Sequence, residues 1–149
     1  MAHFAQLDGG NMVMRVSVVD NSVILDIIGK DNEHLGINYL KSIHGENTKW
    51  KQTSRSGRFR GNFASVGFEY DEENDVFMPP KPFRYWTLEK QNGSAYWKCP
   101  IEKPDETQEQ IDSGYFYVWS DQIYEEDTSD PKTQGWILMN SEGEQLDPN

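Results

Sequence analysis

The strongest constraint on this chain lies beyond residue 66, where an aromatic-rich strand, a polar turn and a second apolar strand recur three times. The units run from Phe68-Glu69-Tyr70-Asp71 to Val76-Phe77-Met78-Pro79, from Tyr85-Trp86-Thr87-Leu88 to Tyr96-Trp97-Lys98-Cys99-Pro100, and from Tyr115-Phe116-Tyr117-Val118-Trp119 to Gly135-Trp136-Ile137-Leu138-Met139. Each reads as a β-hairpin, and Asn92-Gly93 in the middle unit is a strong turn signal because both residues tolerate positive φ. Pro79, Pro80, Pro82, Pro100 and Pro104 lack an amide donor and restrict the residue before them, so they interrupt pairing between units. The pattern predicts a string of separate hairpins. An isolated two-stranded hairpin is marginal in water, so each unit needs cross-strand rings, a neighbouring sheet or a partner protein.

Upstream, His3 to Leu7 and Met12 to Val19 flank Asp8-Gly9-Gly10-Asn11 and predict another hairpin. Period-two alternation puts Met12, Met14, Val16 and Val18 on one face of the second strand, and this Met/Val face is expected to meet the core. A helix is predicted from Asp31 or Asn32 to His44, with Leu35, Tyr39 and Ile43 as its apolar stripe and Gly45 as its stop. Ile37 and Leu40 broaden that stripe, which is expected to lie across the hairpin. Residues 21–28 fit either a strand or a helix. Residues 46–67, rich in Gly, Ser, Asn and cations, are expected to be an irregular loop. The fold class is thus α+β and mostly β, with a small α+β part at 1–65 and a hairpin series at 66–149.

A chain of 149 residues can bury about two thirds of its unfolded surface. Seven Tyr, seven Phe and five Trp make rings the main source of that burial. The net charge is −11 and unevenly distributed: residues 1–63 carry eight basic and six acidic groups, whereas residues 64–149 carry six and nineteen. The acidic balance opposes general nucleic-acid binding, which requires clustered Lys and Arg. A single cysteine, Cys99, excludes an internal disulfide. With no leader-like start and no long apolar run, cytosolic synthesis and no membrane insertion are expected.

No motif assembles a catalytic site, so the chain is read as non-enzymatic, with neither cofactor nor metal. His3, His34 and His44 are scattered, and neither metal-ligand spacing nor a nucleophile elbow is present. Asp71-Glu72-Glu73-Asn74-Asp75 lacks calcium-loop spacing and reads as a charged turn. Lys49, Lys51, Arg55, Arg58 and Arg60, interleaved with rings, form a candidate basic patch for an acidic protein surface or, less simply, for phosphates. Internal pairing with the acidic half is the plain alternative. Trp50, Phe59, Phe63, Trp86, Trp97, Tyr117, Trp119 and Trp136 are the candidate protein interface. Rings across strands also stabilise hairpins, and flat exposed rings suit sugars.

Several stretches carry a resemblance: Met1-Ala2-His3-Phe4-Ala5-Gln6-Leu7-Asp8, Leu35-Gly36-Ile37, Trp50-Lys51-Gln52-Thr53-Ser54, the run from Gly57-Arg58-Phe59-Arg60 through Phe68-Glu69-Tyr70-Asp71, and Phe77-Met78-Pro79-Pro80-Lys81-Pro82-Phe83. Together, over roughly residues 1–100, they resemble a family of small proteins of tailed bacteriophages, notably those of marine bacteria. The acidic segment around Tyr124 to Lys132 departs from that pattern. The resemblance implies a virion protein that attaches to a phage capsid or tail protein, with capsid decoration the first placement. A tail or fibre accessory recognising a bacterial surface glycan is the alternative, and self-association is compatible with either. The resemblance supplies no catalytic residues.

Overall fold

The computed structural model describes residues 1–146. The architecture is α+β and mostly β, made of small antiparallel sheets and short helices. The chain forms two compact units, one of Met1–Lys81 with Leu88–Trp97, the other of Pro82–Thr87 with the chain from Lys98 onward. The partition therefore does not fall at residue 65, because two of the hairpins build onto the first unit's core.

In the first unit, β1 (Ala2–Leu7) and β2 (Val13–Val19) form the expected hairpin. Asp8 closes its turn by accepting from the Gly10 and Met12 amides, at 2.8 and 3.0 Å. α1 (Asn21–Ile24) and α2 (Glu33–His44) follow, and β3 (Lys49–Thr53) completes a sheet of order β2-β1-β3. The expected loop at 46–67 thus contains an edge strand. Trp50 anchors it: the ring is 2% exposed within a cluster that includes Phe4, Val19, Ile24 and Leu40.

Two expectations about buried faces are corrected. A β-bulge pairs Leu7 with Val13 while Gln6 pairs with Arg15, leaving Met14 out of register. Such a bulge reverses the alternation. Val16 packs against the core as expected, beside Val13, whereas Met12, Met14 and Val18 are exposed and Val19 is buried on the opposite face. On α2, Leu40 is buried and Ile37 packs beside it as expected, but Gly36 is buried too, while Tyr39 and Ile43 face solvent. The reason is Gly36: a Cβ there would stand 2.2 Å from Phe4 Cζ, so the Phe4 ring lies directly on the helix backbone. The helix ends themselves match the sequence, with Asn32 accepting from the His34 amide and Gly45 closing the C-terminus.

β1 is buried on both faces. Ala2 and Phe4 face the helical side, whereas Ala5 and Leu7 join Val13, Ala64, Tyr70 and Phe77 on the other. That second layer is the hairpin of β4 (Glu69–Asp71) and β5 (Val76–Met78) with the segment before it. Asn62 ties the layer together by donating to the carbonyls of Phe77 at 2.9 Å and Ala95 at 3.0 Å. β6 (Thr87–Gln91) and β7 (Ser94–Lys98) pair around Asn92-Gly93, whose φ values are 51° and 84°. Ala95, Leu88 and Trp97 pack with Val76 and Met78.

In the second unit, α3 (Gln108–Asp112) starts with a capping box between Thr107 and Gln110. β8 (Phe116–Trp119) and β9 (Trp136–Met139) form the third hairpin. α4 (Asp121–Glu126), capped by Ser120, lies between them. Lys132 donates to the Tyr124 carbonyl at 2.9 Å, and the Asp127 carboxylate accepts from the Ser129, Thr133 and Gln134 amides. A charged connection thereby acquires a defined path.

Candidate functional site

The ring residues expected to form one interface occupy four different settings. Trp50 is a core residue: Thr48 accepts from its indole at 2.8 Å and the Arg15 guanidinium lies 5.6 Å from its ring centre. Trp86, Trp119 and Trp136 pack on one another in the second unit, with Trp119 only 7% exposed. Their planes meet at 74°, 56° and 73°, so the three rings pack edge-on or tilted rather than stacked. Within this cluster the Trp119 indole donates to Asp121 and the Trp136 indole to the Ile101 carbonyl, each at 2.8 Å, while Trp86 Nε1 is buried without a partner among the described residues. Tyr117 is half-buried on β8. Burial raises the Cys99 thiol pKa, so this cysteine stays a protonated thiol.

Three of the five candidate cations are engaged within the first unit. Lys49 donates to the Asn11 side chain, and the Lys51 ammonium sits 5.4 Å from the centre of the Tyr70 ring. Arg60 forks onto both Glu33 oxygens, donates to Asp75 at 2.8 Å and to the Gln52 carbonyl at 3.0 Å. Burial opposes ionisation of Glu33, but the Arg60 hydrogen bonds and the Gln52 amide overcome it and hold the carboxyl below its usual range. Burial and the hydrogen bond to Asp75 push the Tyr70 hydroxyl up to about 12. Arg60 is thus the tie between α2, β3 and the β4–β5 turn. No local pattern marks it, since Glu33 and Asp75 lie 27 and 15 residues away.

Arg55 and Arg58 behave differently. Both are exposed, and neither forms an ion pair among the described residues. They line an open cleft of about 790 Å³ together with His3, Asp31, Leu25 and Phe59. The turn after β3 fixes this wall: Ser54 accepts from the Arg58 amide at 3.0 Å, and Ser56 accepts from Arg58 Nε at 3.1 Å. His3 packs edge-on against half-buried Phe63, with centroids 5.4 Å apart. Burial and then the Arg55 charge lower the His3 pKa, so at neutral pH the arginines carry the positive charge of this wall. Fork-shaped donors beside the exposed Phe59 ring suit carboxylates presented on an apolar surface.

A second concavity, about 360 Å³, is lined by Met12, Met78, Pro79, Pro80 and Trp97, with Glu69, Asp71 and Lys81 alongside. The Trp97 indole donates to the Pro79 carbonyl at 2.9 Å, which fixes the ring as one wall. The Lys81 ammonium stands 5.8 Å from the centre of that ring. Of the expected interface residues, the structure therefore gives Phe59 and Trp97 to surface concavities, and it withdraws Trp50 and Trp119 into packing. The groove went unnoticed in the sequence because it combines Met12 with three separate stretches between Gly67 and Trp97. Compared with known protein families, curated proteins and solved structures, the chain matches none.

Proposed function

We propose that this chain is a non-enzymatic structural protein of a tailed-phage particle, held noncovalently on a capsid protein by the cleft of the first unit. The observation that carries the docking part is the division among the cations. Lys49, Lys51 and Arg60 are engaged by internal partners, whereas Arg55 and Arg58 stand exposed beside Phe59 in an open cleft. Two guanidinium forks and a ring match acidic and apolar side chains of a protein surface. A polyanion such as nucleic acid would be opposed by the net charge of −11. The virion part rests on the resemblance of residues 1–100 to small phage proteins.

The experiment is electron cryomicroscopy of purified particles, with mass spectrometry identifying the chain. Many symmetric copies on the head, with residues 53–59 at the contact, are the expected result. A few copies at the tail would move the attachment to a tail protein. Absence from particles would overturn the proposal.

A further inference from the structure

Of the chain's asparagines only Asn92 is followed by glycine, and the pair occupies the tip of the β6–β7 hairpin. Both residues are exposed, with φ of 51° and 84°. A Cβ added to Gly93 would meet nothing within 4 Å, so no neighbouring group crowds this peptide. Asn32 caps α2, Asn62 bridges two carbonyls, Asn74 donates to Asp71 at 2.9 Å and Asn140 accepts from the Glu142 and Glu144 amides, whereas the Asn92 carboxamide makes no hydrogen bond among the described residues.

From this we infer that Asn92 is a site of spontaneous covalent modification, losing its side-chain amide to become aspartate or isoaspartate. The Gly93 amide gives up its proton to base, and its nitrogen bonds to Asn92 Cγ while the Cγ–Nδ2 bond breaks and the amide group leaves as ammonia. Water, the one co-reactant, then opens the succinimide. Opening at the side-chain carbonyl gives aspartate, and opening at the main-chain carbonyl reroutes the chain through Cβ as isoaspartate. Glycine favours the attack because it places no Cβ beside the nucleophilic nitrogen. The closed turn opposes it: two positive φ values in a two-residue loop are those of a type I′ turn, whose ψ at Asn92 holds the Gly93 nitrogen away from Cγ. Opening of the hairpin tip is therefore the gate. β6 and β7 form a sheet of two strands in which only Ala95 is buried, so the tip opens at a fraction of the cost of global unfolding. Conversion adds a negative charge to a chain already at −11, and isoaspartate lengthens the loop by a backbone carbon. Ala95 and Trp97 follow on β7, so the change reaches their packing on Val76 and Met78.

Peptide mapping of the full chain during incubation in warm, mildly alkaline buffer tests this, with fragmentation that separates aspartate from isoaspartate. Asn92 is expected to convert before any other asparagine, and faster as pH rises. In urea the conversion is expected to run about tenfold faster or more, because the gate is then open. Asn92→Gly keeps a pair that suits the turn and is expected to abolish the change at this peptide. A folded chain in which Asn92 stays intact, or in which another asparagine converts first, overturns the inference. Equal rates in the folded and the urea-unfolded chain overturn the gating by the hairpin.

Discussion

Replacing Gly36 by alanine sets two effects of known size against each other. On an exposed helix the change gains up to about 1 kcal/mol, because glycine is the poorer helix former. Here the new Cβ would stand 2.2, 2.8 and 2.9 Å from three atoms of the Phe4 ring. Carbon atoms attract at about 3.5–4.0 Å, so all three approaches are repulsive. The ring cannot retreat easily: Phe4 is 0% exposed and is backed by Ile24, Leu40 and Trp50. Overpacking of this kind costs about 1–3 kcal/mol, or more where neighbours are fixed, which exceeds the helical gain. Gly36→Ala is therefore expected to destabilise the first unit by about 1–2 kcal/mol, lowering its melting temperature by roughly 5–15 °C for a unit of this size. Urea unfolding followed by circular dichroism gives the loss, and hydrogen exchange of β1 amides assigns it to the first unit. Phe4→Leu shrinks the ring and is expected to cost less in the Gly36→Ala background than in the wild type. A Gly36→Ala chain as stable as the parent, or additive behaviour of the pair, would refute the account of how α2 seats on β1.

Three further outcomes follow from the geometry. Gly135→Ala places a Cβ 2.3 Å from Trp119 Cζ3, so the β8–β9 hairpin is expected to lose about 1–3 kcal/mol, read from exchange of its amides and from the near-ultraviolet signal of its tryptophans. Arg60→Gln strands Glu33 half-buried and is expected to cost about 2–4 kcal/mol in urea unfolding. Its pH dependence has a definite sign. Glu33 binds its proton more weakly in the folded state, so its contribution is complete above its ordinary value of 4.5 and is lost as pH falls below that value through the folded pKa. Arg60→Gln is expected to flatten this part of the stability profile, and an unchanged acid limb would count against the ion pair. Arg55→Glu/Arg58→Glu is expected to leave the melting temperature within about 1 kcal/mol equivalent of wild type, because exposed changes seldom matter more. The same variant is expected to empty the particle of this protein by mass spectrometry; full occupancy would remove the cleft from the attachment.

Elements whose causes are local were legible in the sequence. Asn92-Gly93 marks the β6–β7 turn because both residues take positive φ, and that is where the hairpin bends. Asn32 and Gly45 bound α2 because an amide acceptor and a residue with no Cβ terminate a helix without outside help. The three aromatic hairpins came from runs of four or five β-prone residues between turns. Faces and partners were decided elsewhere. Leu35, Tyr39 and Ile43 form the better apolar stripe on α2, yet Gly36 and Leu40 are buried, since only a missing side chain lets Phe4 approach the backbone. The bulge opposite Gln6 and Leu7 turned Val13 onto the same face as Val16, an event in pairing that neither strand encodes alone. Arg60 and Arg55 sit five residues apart in one basic run, but Glu33 and Asp75 captured the first and no acidic group among the described residues captured the second. The sequence by itself determined where the chain turns and which segments extend, because those depend on backbone preferences of neighbouring residues. The tertiary structure alone decided which rings are core and which charges remain available, because burial and pairing depend on groups that only folding brings within reach.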